Sequence, residues 1–403
     1  MGSAGDDGEL LRRYAELIVG FGANVQRGQI VAISTEPGKE ALTRALAAAA
    51  YRAGASFVDV NSFDTYVKRA RIEFSEEEFL EVVPSWYGER MLALGEQRCA
   101  RIGLTGPAAP GLLDDLDPER TGRDRLPFIA EAVTVVNART TNWTAASCPT
   151  PEWAQLVHPS LSAEDALARL WEQIAHVCRL DEEDPVAAWR SRMDRVGAAA
   201  AALDERRFEA LHFAGPGTDL TVGLLAGSRW ISARFSTIDG IEHFPNLPSE
   251  ETFTAPDPER VDGVVRCTKP LVLQGSIVRD LRVRFEGGRA IELEASSGER
   301  TLRSLLSRDP GALRLGEVAL VDGNGRVGAL DTIFFDTLLD ENAASHIAFG
   351  QGYEFSVEEA DRERVNKSGL HVDVMIGGED VNVSGVTSGG ERVAVLEGGA
   401  WRV

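Results

Sequence analysis

Long apolar runs are missing from this chain. No uncharged stretch approaches the ~20 residues that a membrane-spanning helix requires, so no membrane association is expected. The start, residues 1–11, is rich in Gly and Asp. It lacks the basic segment and apolar core of a secretory signal, and the sequence therefore predicts a soluble, cytoplasmic protein. Cysteine is scarce: Cys99, Cys148, Cys178 and Cys267 are widely spread among 403 residues. None pairs at the C-x-x-C spacing of zinc or redox motifs, and a disulfide scaffold has no support. Buried free thiols in a reducing compartment are the expectation. The sequon Asn142-Trp143-Thr144 carries no meaning in such a compartment. Basic charge is in short supply as well, with 42 Lys and Arg against 63 Asp and Glu, a formal net charge of −21. Gripping phosphate backbones or anionic lipid needs the opposite balance, so nucleic acid is not an expected partner.

Several catalytic signatures are also absent. No G-x-S-x-G elbow and no H-E-x-x-H pair occur, which removes support for the common serine-hydrolase and zinc-helix arrangements. Gly323, Gly325 and Gly328 spell G-x-G-x-x-G after an apolar run. The following ALDTIFF has no helix-opening signal, so a turn is the better reading than a dinucleotide loop. Gly215-Pro216-Gly217-Thr218 has neither the third glycine nor a Walker lysine.

The chain that remains is ordinary in apolar content, at 43%. At ~150 residues per domain its length suggests two or three domains. Leu10, Leu11, Tyr14, Leu17, Ile18 and Phe21 recur at helical spacing. Residues 29–34 (QIVAIS) read as a strand, 39–52 as a helix stopped at Gly54, and 56–60 (SFVDV) as a second strand. Helical patterning fills 76–101, broken at Pro84; 101–105 (RIGLT) and 132–136 (AVTVV) read as further strands. Helix alternating with strand implies a parallel sheet flanked by helices. Residues 162–180 and 186–203 are predicted helices. Beyond about residue 205 alternating segments crowd together: 208–213, 230–235, a hairpin of 281–285 and 290–295 around Gly287-Gly288, then 317–322, 371–376 and 392–396. The expectation is an α/β protein: an N-terminal α/β domain over 1–200, and a C-terminal α+β domain rich in antiparallel strands over 201–403.

Six histidines occur, and two stand among acids. In Leu370-His371-Val372-Asp373-Val374, strand alternation turns His371 and Asp373 to one face and the valines to the other. An imidazole beside a carboxylate suits a divalent cation, and a sheet-edge hydrogen bond suits the pair equally. Asp340-Glu341 and His346 flank an apolar Ile-Ala-Phe stretch. Glu250, Glu251 and Glu317 stand at the edges of predicted elements. Taken together they form a carboxylate-rich donor set of the kind a two-metal hydrolytic centre uses to balance four positive charges.

Four blocks then carry a resemblance. Asn246-Leu247-Pro248 with Glu251 and Phe253-Thr254-Ala255-Pro256; Leu315-Gly316-Glu317; Asp340-Glu341-Asn342-Ala343 with His346-Ile347-Ala348-Phe349-Gly350 and Tyr353; and Asn366, Ser368 and His371 through Gly377 follow the order of the thermophilic aminopeptidase family, peptidase family M29, which the chain resembles over nearly its whole length. The resemblance implies a homodimer with a catalytic C-terminal domain that removes N-terminal residues from peptides. It implies two divalent metal ions per chain (zinc, cobalt or manganese), with a metal-bound water or hydroxide as nucleophile. By motif position Glu251, Glu317, Glu341, His346, His371 and Asp373 would be the metal ligands. Tyr353 would hydrogen-bond the reacting group, and Glu251 or Glu341 would accept the proton of the attacking water. Thr252 replaces an aliphatic residue and Val374 a common Phe, departures that bear on substrate preference. Two other readings use the same residues. His346, His371 and Asp373 would suffice for a mononuclear iron ring-cleaving dioxygenase, and a non-catalytic dimeric binding protein would leave the acids merely solvated.

Overall fold

The computed structural model describes residues 4–127, 129–273 and 276–403; part of the Gly/Asp-rich start, residues 1–3, lies outside them. The chain forms two compact units. The first comprises residues 1–112, 125–192 and 233–249, the second 113–124, 193–232 and 250–403. The long helix Pro185–Arg206 contains the passage from Arg192 to Met193. Two further segments, 113–124 and 233–249, change unit after leaving it in sequence.

In the first unit five strands lie in the order Asn246–Leu247, Trp143–Ser147, Ala100–Thr105, Ile30–Thr35, Phe57–Ser62, all parallel. The predicted strands at 29–34, 56–60 and 101–105 are three of them. The Trp143–Ser147 strand, which begins inside the sequon, was not anticipated. The expected strand at 132–136 is instead a helix, Ala130–Ala138. Its β-branched AVTVV run reads as extended, but the helix packs on Ser85–Glu96, where glycines allow close approach. A Cβ on Gly95 would sit 3.0 Å from Val135, and one on Gly88 would sit 2.5 Å from Glu131. Tertiary packing thus overrides a weak local preference.

The Ile30–Thr35 and Ala100–Thr105 strands are adjacent, and their outgoing connections reach opposite sides of the sheet order. That is the topological switch where open α/β sheets commonly take ligands. The Lys39 ammonium, fully buried, lies 2.7 Å from Glu36 and donates to Gly106 O (2.7 Å) and Leu104 O (3.3 Å). Lys39→Met is expected to cost roughly 2–4 kcal/mol, because carbonyls and a carboxylate lose their shared cation. A thermal or urea midpoint equal to wild type would refute the bracing role.

The second unit is antiparallel throughout. An eight-stranded sheet runs Arg289–Glu294, Arg282–Glu286, Pro256–Arg266, Thr218–Leu224, Ala210–Gly215, Asn382–Val386, Arg392–Glu397, Ala400–Trp401. The predicted Gly-Gly hairpin is present: Gly287 and Gly288 have φ of +53° and +78°, the conformation that tight hairpin turns need. A five-stranded sheet runs His371–Met375, His346–Gly350, Leu315–Val321, Glu251–Thr254, Ile231–Ser232. The expected strand at 230–235 is two short ones: Ile231–Ser232, pairing with Thr252 and Phe253, and Phe235–Ser236, which belongs to the first unit and pairs there with Glu242–His243. One core holds Phe213, Leu220 and Val222 of the larger sheet together with Val318, Leu320, Ile347, Phe349, Val372 and Val374 of the smaller. All four cysteines are free and buried, and burial pushes the Cys148 and Cys178 thiols up to about 12. No helix among the described residues is long and apolar enough to cross a membrane.

Candidate metal centre

The five-stranded sheet separates two chemistries by alternation. Val318, Leu320, Ile347, Phe349, Val372 and Val374 enter the core. Glu317, Ala348 and Asp373 are directly paired across three strands, so they share the opposite face. Phe253, Ala319 and His346 form a neighbouring row. The two alanines, both fully buried, keep the floor low between charged neighbours. Glu251 stands on the adjoining strand opposite Val321, and His371 opposite Gly350. Glu341 alone is off the sheet, in the 3-10 turn Glu341–Ala343.

These six side chains come together. His346 Nε2 lies 3.1 Å from Glu251 Oε2 and 3.5 Å from Glu317 Oε1. His371 Nε2 lies 3.3 Å from Asp373 Oδ1 and 3.8 Å from Glu317 Oε2. Ligand atoms gather within 4.8 Å in three sets: Glu251, Glu317 and His346; Glu317, His371 and Asp373; Glu341, His346 and Asp373. The two oxygens of Glu317 therefore face different imidazoles. Glu250, the neighbouring acid weighed in the sequence, points elsewhere: a Cβ on Gly325 would sit 3.1 Å from its Oε2.

Both imidazoles are oriented by backbone. His346 Nδ1 lies 3.2 Å from Ala344 O, and His371 Nδ1 lies 2.8 Å from Gln351 O. A carbonyl only accepts, so each Nδ1 carries the proton and each Nε2 faces the carboxylates. That is the outer support that metal-binding histidines require. Sequence reasoning passed over these partners. The only signal for them was their place directly beside the motif blocks, since a backbone carbonyl contributes no residue type to read.

Charge completes the test of fit. Glu251, Glu317, Glu341 and His346 are all buried. Four carboxylates face two imidazoles, an excess of negative charge even with both rings protonated. Without cations the cluster holds protons instead. Burial, reinforced by Asp373 and Glu251, drives the Glu341 carboxyl well above its usual range, and burial also raises Glu317. Burial pulls His346 down, but hydrogen bonds to Glu251 and Glu317 more than reverse it. Burial likewise opposes protonation of His371, which Asp373 and Glu317 nevertheless push up to about 10. Nitrogen with carboxylate oxygen is a donor set that divalent cations accept, and their charge would offset the excess of carboxylate. Beside the cluster lies Tyr353, whose ring centroid is 5.5 Å from that of His371 and 5.3 Å from that of Phe355.

A model of the thermophilic metalloprotease (M29) family matches residues 7–401. The chain belongs to that family. It is a metallo-aminopeptidase, a hydrolase. The sequence is 43% identical to aminopeptidase T of Thermus aquaticus, with 98% of each chain covered. It is 37% identical to aminopeptidase 2 of Geobacillus stearothermophilus, with 97% of each covered. Among solved structures, wild-type AmpT from Thermus thermophilus superposes with a TM-score of 0.87 at 42% identity, covering 98% of this chain and 99% of that one. The α/β architecture expected from the sequence agrees with that likeness.

Proposed function

We propose that this M29 enzyme removes N-terminal residues from peptides through a dinuclear metal centre held by Glu251, Glu317, Glu341, His346, His371 and Asp373. The observation that carries the reading is the convergence of four carboxylates and two backbone-oriented imidazoles on one face of the smaller sheet. Glu317 would be able to reach two ions, since its two oxygens face the two separate imidazoles. Zinc, cobalt and manganese all suit the donors.

Bound divalent ions supply charge to polarise a scissile carbonyl and acidify a water enough to make it a nucleophile near neutral pH. The chain's own residues do the rest. Glu251, whose Oε2 lies 3.1 Å from His346 Nε2, is the carboxylate we assign to accept the proton released as water attacks. Tyr353 keeps its own proton: burial, then the carboxylates of Glu317, Asp373, Glu341 and Glu251, drive its phenol well above the usual value. It therefore donates a hydrogen bond to the oxyanion that forms at the carbonyl. The imidazoles are held in fixed orientation through Ala344 O and Gln351 O, which keeps each Nε2 turned to the cluster.

Peptides with a free N-terminus are the substrates in this reading, and the enzyme is a cytoplasmic homodimer. Four buried free thiols suit a reducing compartment. The test is metal stoichiometry on purified protein, paired with a panel of amino-acid amides. Chelation is expected to abolish turnover, and two equivalents of cobalt, zinc or manganese per chain to restore it. One equivalent sufficing for full effect would favour the mononuclear alternative instead, and retained activity after complete metal removal would end the proposal.

A further inference from the structure

We infer that Asn342 is a positioning residue that holds Glu341 within the metal cluster; the inference rests on reading Glu341 as a ligand. Five of the six proposed ligands sit on strands of one sheet, where ladder hydrogen bonds fix their backbone. Glu341 has no such ladder. It occupies the three-residue turn Glu341–Ala343, yet its carboxylate is buried and repelled by Asp373 and Glu251. Something must hold that turn against the strands.

Asn342 is completely buried and makes two bonds of opposite polarity. Its Oδ1 accepts the Glu250 N–H at 2.6 Å, and its Nδ2 donates to Leu338 O at 2.7 Å. The first bond reaches the residue just before Glu251. The second returns to the helical turn Thr337–Asp340 that leads into Glu341. One amide thus ties the element carrying Glu341 to the segment carrying Glu251. The choice of residue follows from chemistry: an N–H only donates and a carbonyl only accepts, so the bridging group must offer one acceptor and one donor at the same short reach. Aspartate has no donor for Leu338 O, and leucine has neither group. The preceding turn is braced separately, since Asp340 accepts from Phe334 N and Asp336 N, and Asp336 caps Leu339 N.

The consequence is selective. Glu341 shares a set with His346 and Asp373, while the other two sets contain no Glu341. Loosening Asn342 would therefore be felt where Glu341 is a donor, while the donors of the other two sets keep their places on the sheet. The experiment uses full-length Asn342→Ala and Asn342→Ser proteins, both neutral changes, so that altered affinity does not reflect added charge. Metal-free protein is titrated with cobalt(II), followed by the visible spectrum of the bound ion and by metal content after gel filtration. Wild type is expected to take two tight equivalents. The variants should keep one and lose about 10–100-fold in affinity for the other, the usual cost of removing an outer-shell partner. Val222→Ala, in the core far along the sequence, is the control for a purely structural loss: a lowered unfolding midpoint with both equivalents still tight. Asn342 variants that behave like that control overturn the inference. Fewer than two equivalents in wild type would overturn the dinuclear reading separately, and Asn342 would then be rejected if its variants bound the remaining ion as wild type does.

Discussion

His346→Ala is expected to lower kcat/KM by on the order of 10³-fold, about 4 kcal/mol of transition-state stabilisation, and to leave the purified protein deficient in metal. The reason is its position. His346 belongs to two of the three sets of converging donors, with Glu251 and Glu317 in one and Glu341 and Asp373 in the other. Removing it takes the nitrogen from both and leaves four carboxylates facing a single imidazole. Such an excess of like charge in a buried site raises the cost of assembling the cluster, so the metal-free variant should also unfold more readily than metal-free wild type. A useful control is His212→Ala. His212 is also buried and lies 2.8 Å from Asp219 on a neighbouring strand, but it takes no part in the cluster. That variant should lose stability and keep its metals. Should His346→Ala retain two ions and ordinary turnover, the assignment of the site would be wrong.

Tyr353→Phe should behave differently. The ring and its packing against Phe253, Phe355 and His371 are kept, and only the hydroxyl is lost. We expect kcat to fall by roughly 10²–10³-fold, the usual effect of deleting one oxyanion donor, with little change in KM and two ions still bound. The separation of effects is the diagnostic part. A fall in metal content would make Tyr353 a support for the ligands, and unchanged kcat would remove it from the reaction altogether.

Much of the site was legible because the sheet's period is two. His371-Val372-Asp373-Val374 announces one polar and one apolar face through alternation alone, and in the folded sheet both valines lie in the core. The acids were legible as residue types but not as partners. Nothing local distinguishes Glu251 from Glu250; strand pairing with Val321 turns the first to the cluster, and the bond from Glu250 N to Asn342 fixes the second. Elements whose identity depends on neighbours were misread. Residues 132–136 look extended by composition, but Gly88 and Gly95 allow them to pack as a helix. The Trp143–Ser147 strand hid in a short, mixed sequence that only the parallel sheet stabilises.

The amino-acid order alone determined an α/β protein with an antiparallel second half, an acidic balance of charge, unpaired thiols, and the residue types needed to hold cations. Those properties are local or compositional, so they survive without knowledge of contacts. Which oxygens face which imidazole, which tautomer each ring adopts, and how an off-sheet glutamate reaches the cluster were decided only on folding. The cluster as a whole draws its atoms from separate segments between Glu251 and Asp373, and distance in space is not written in the order of the chain.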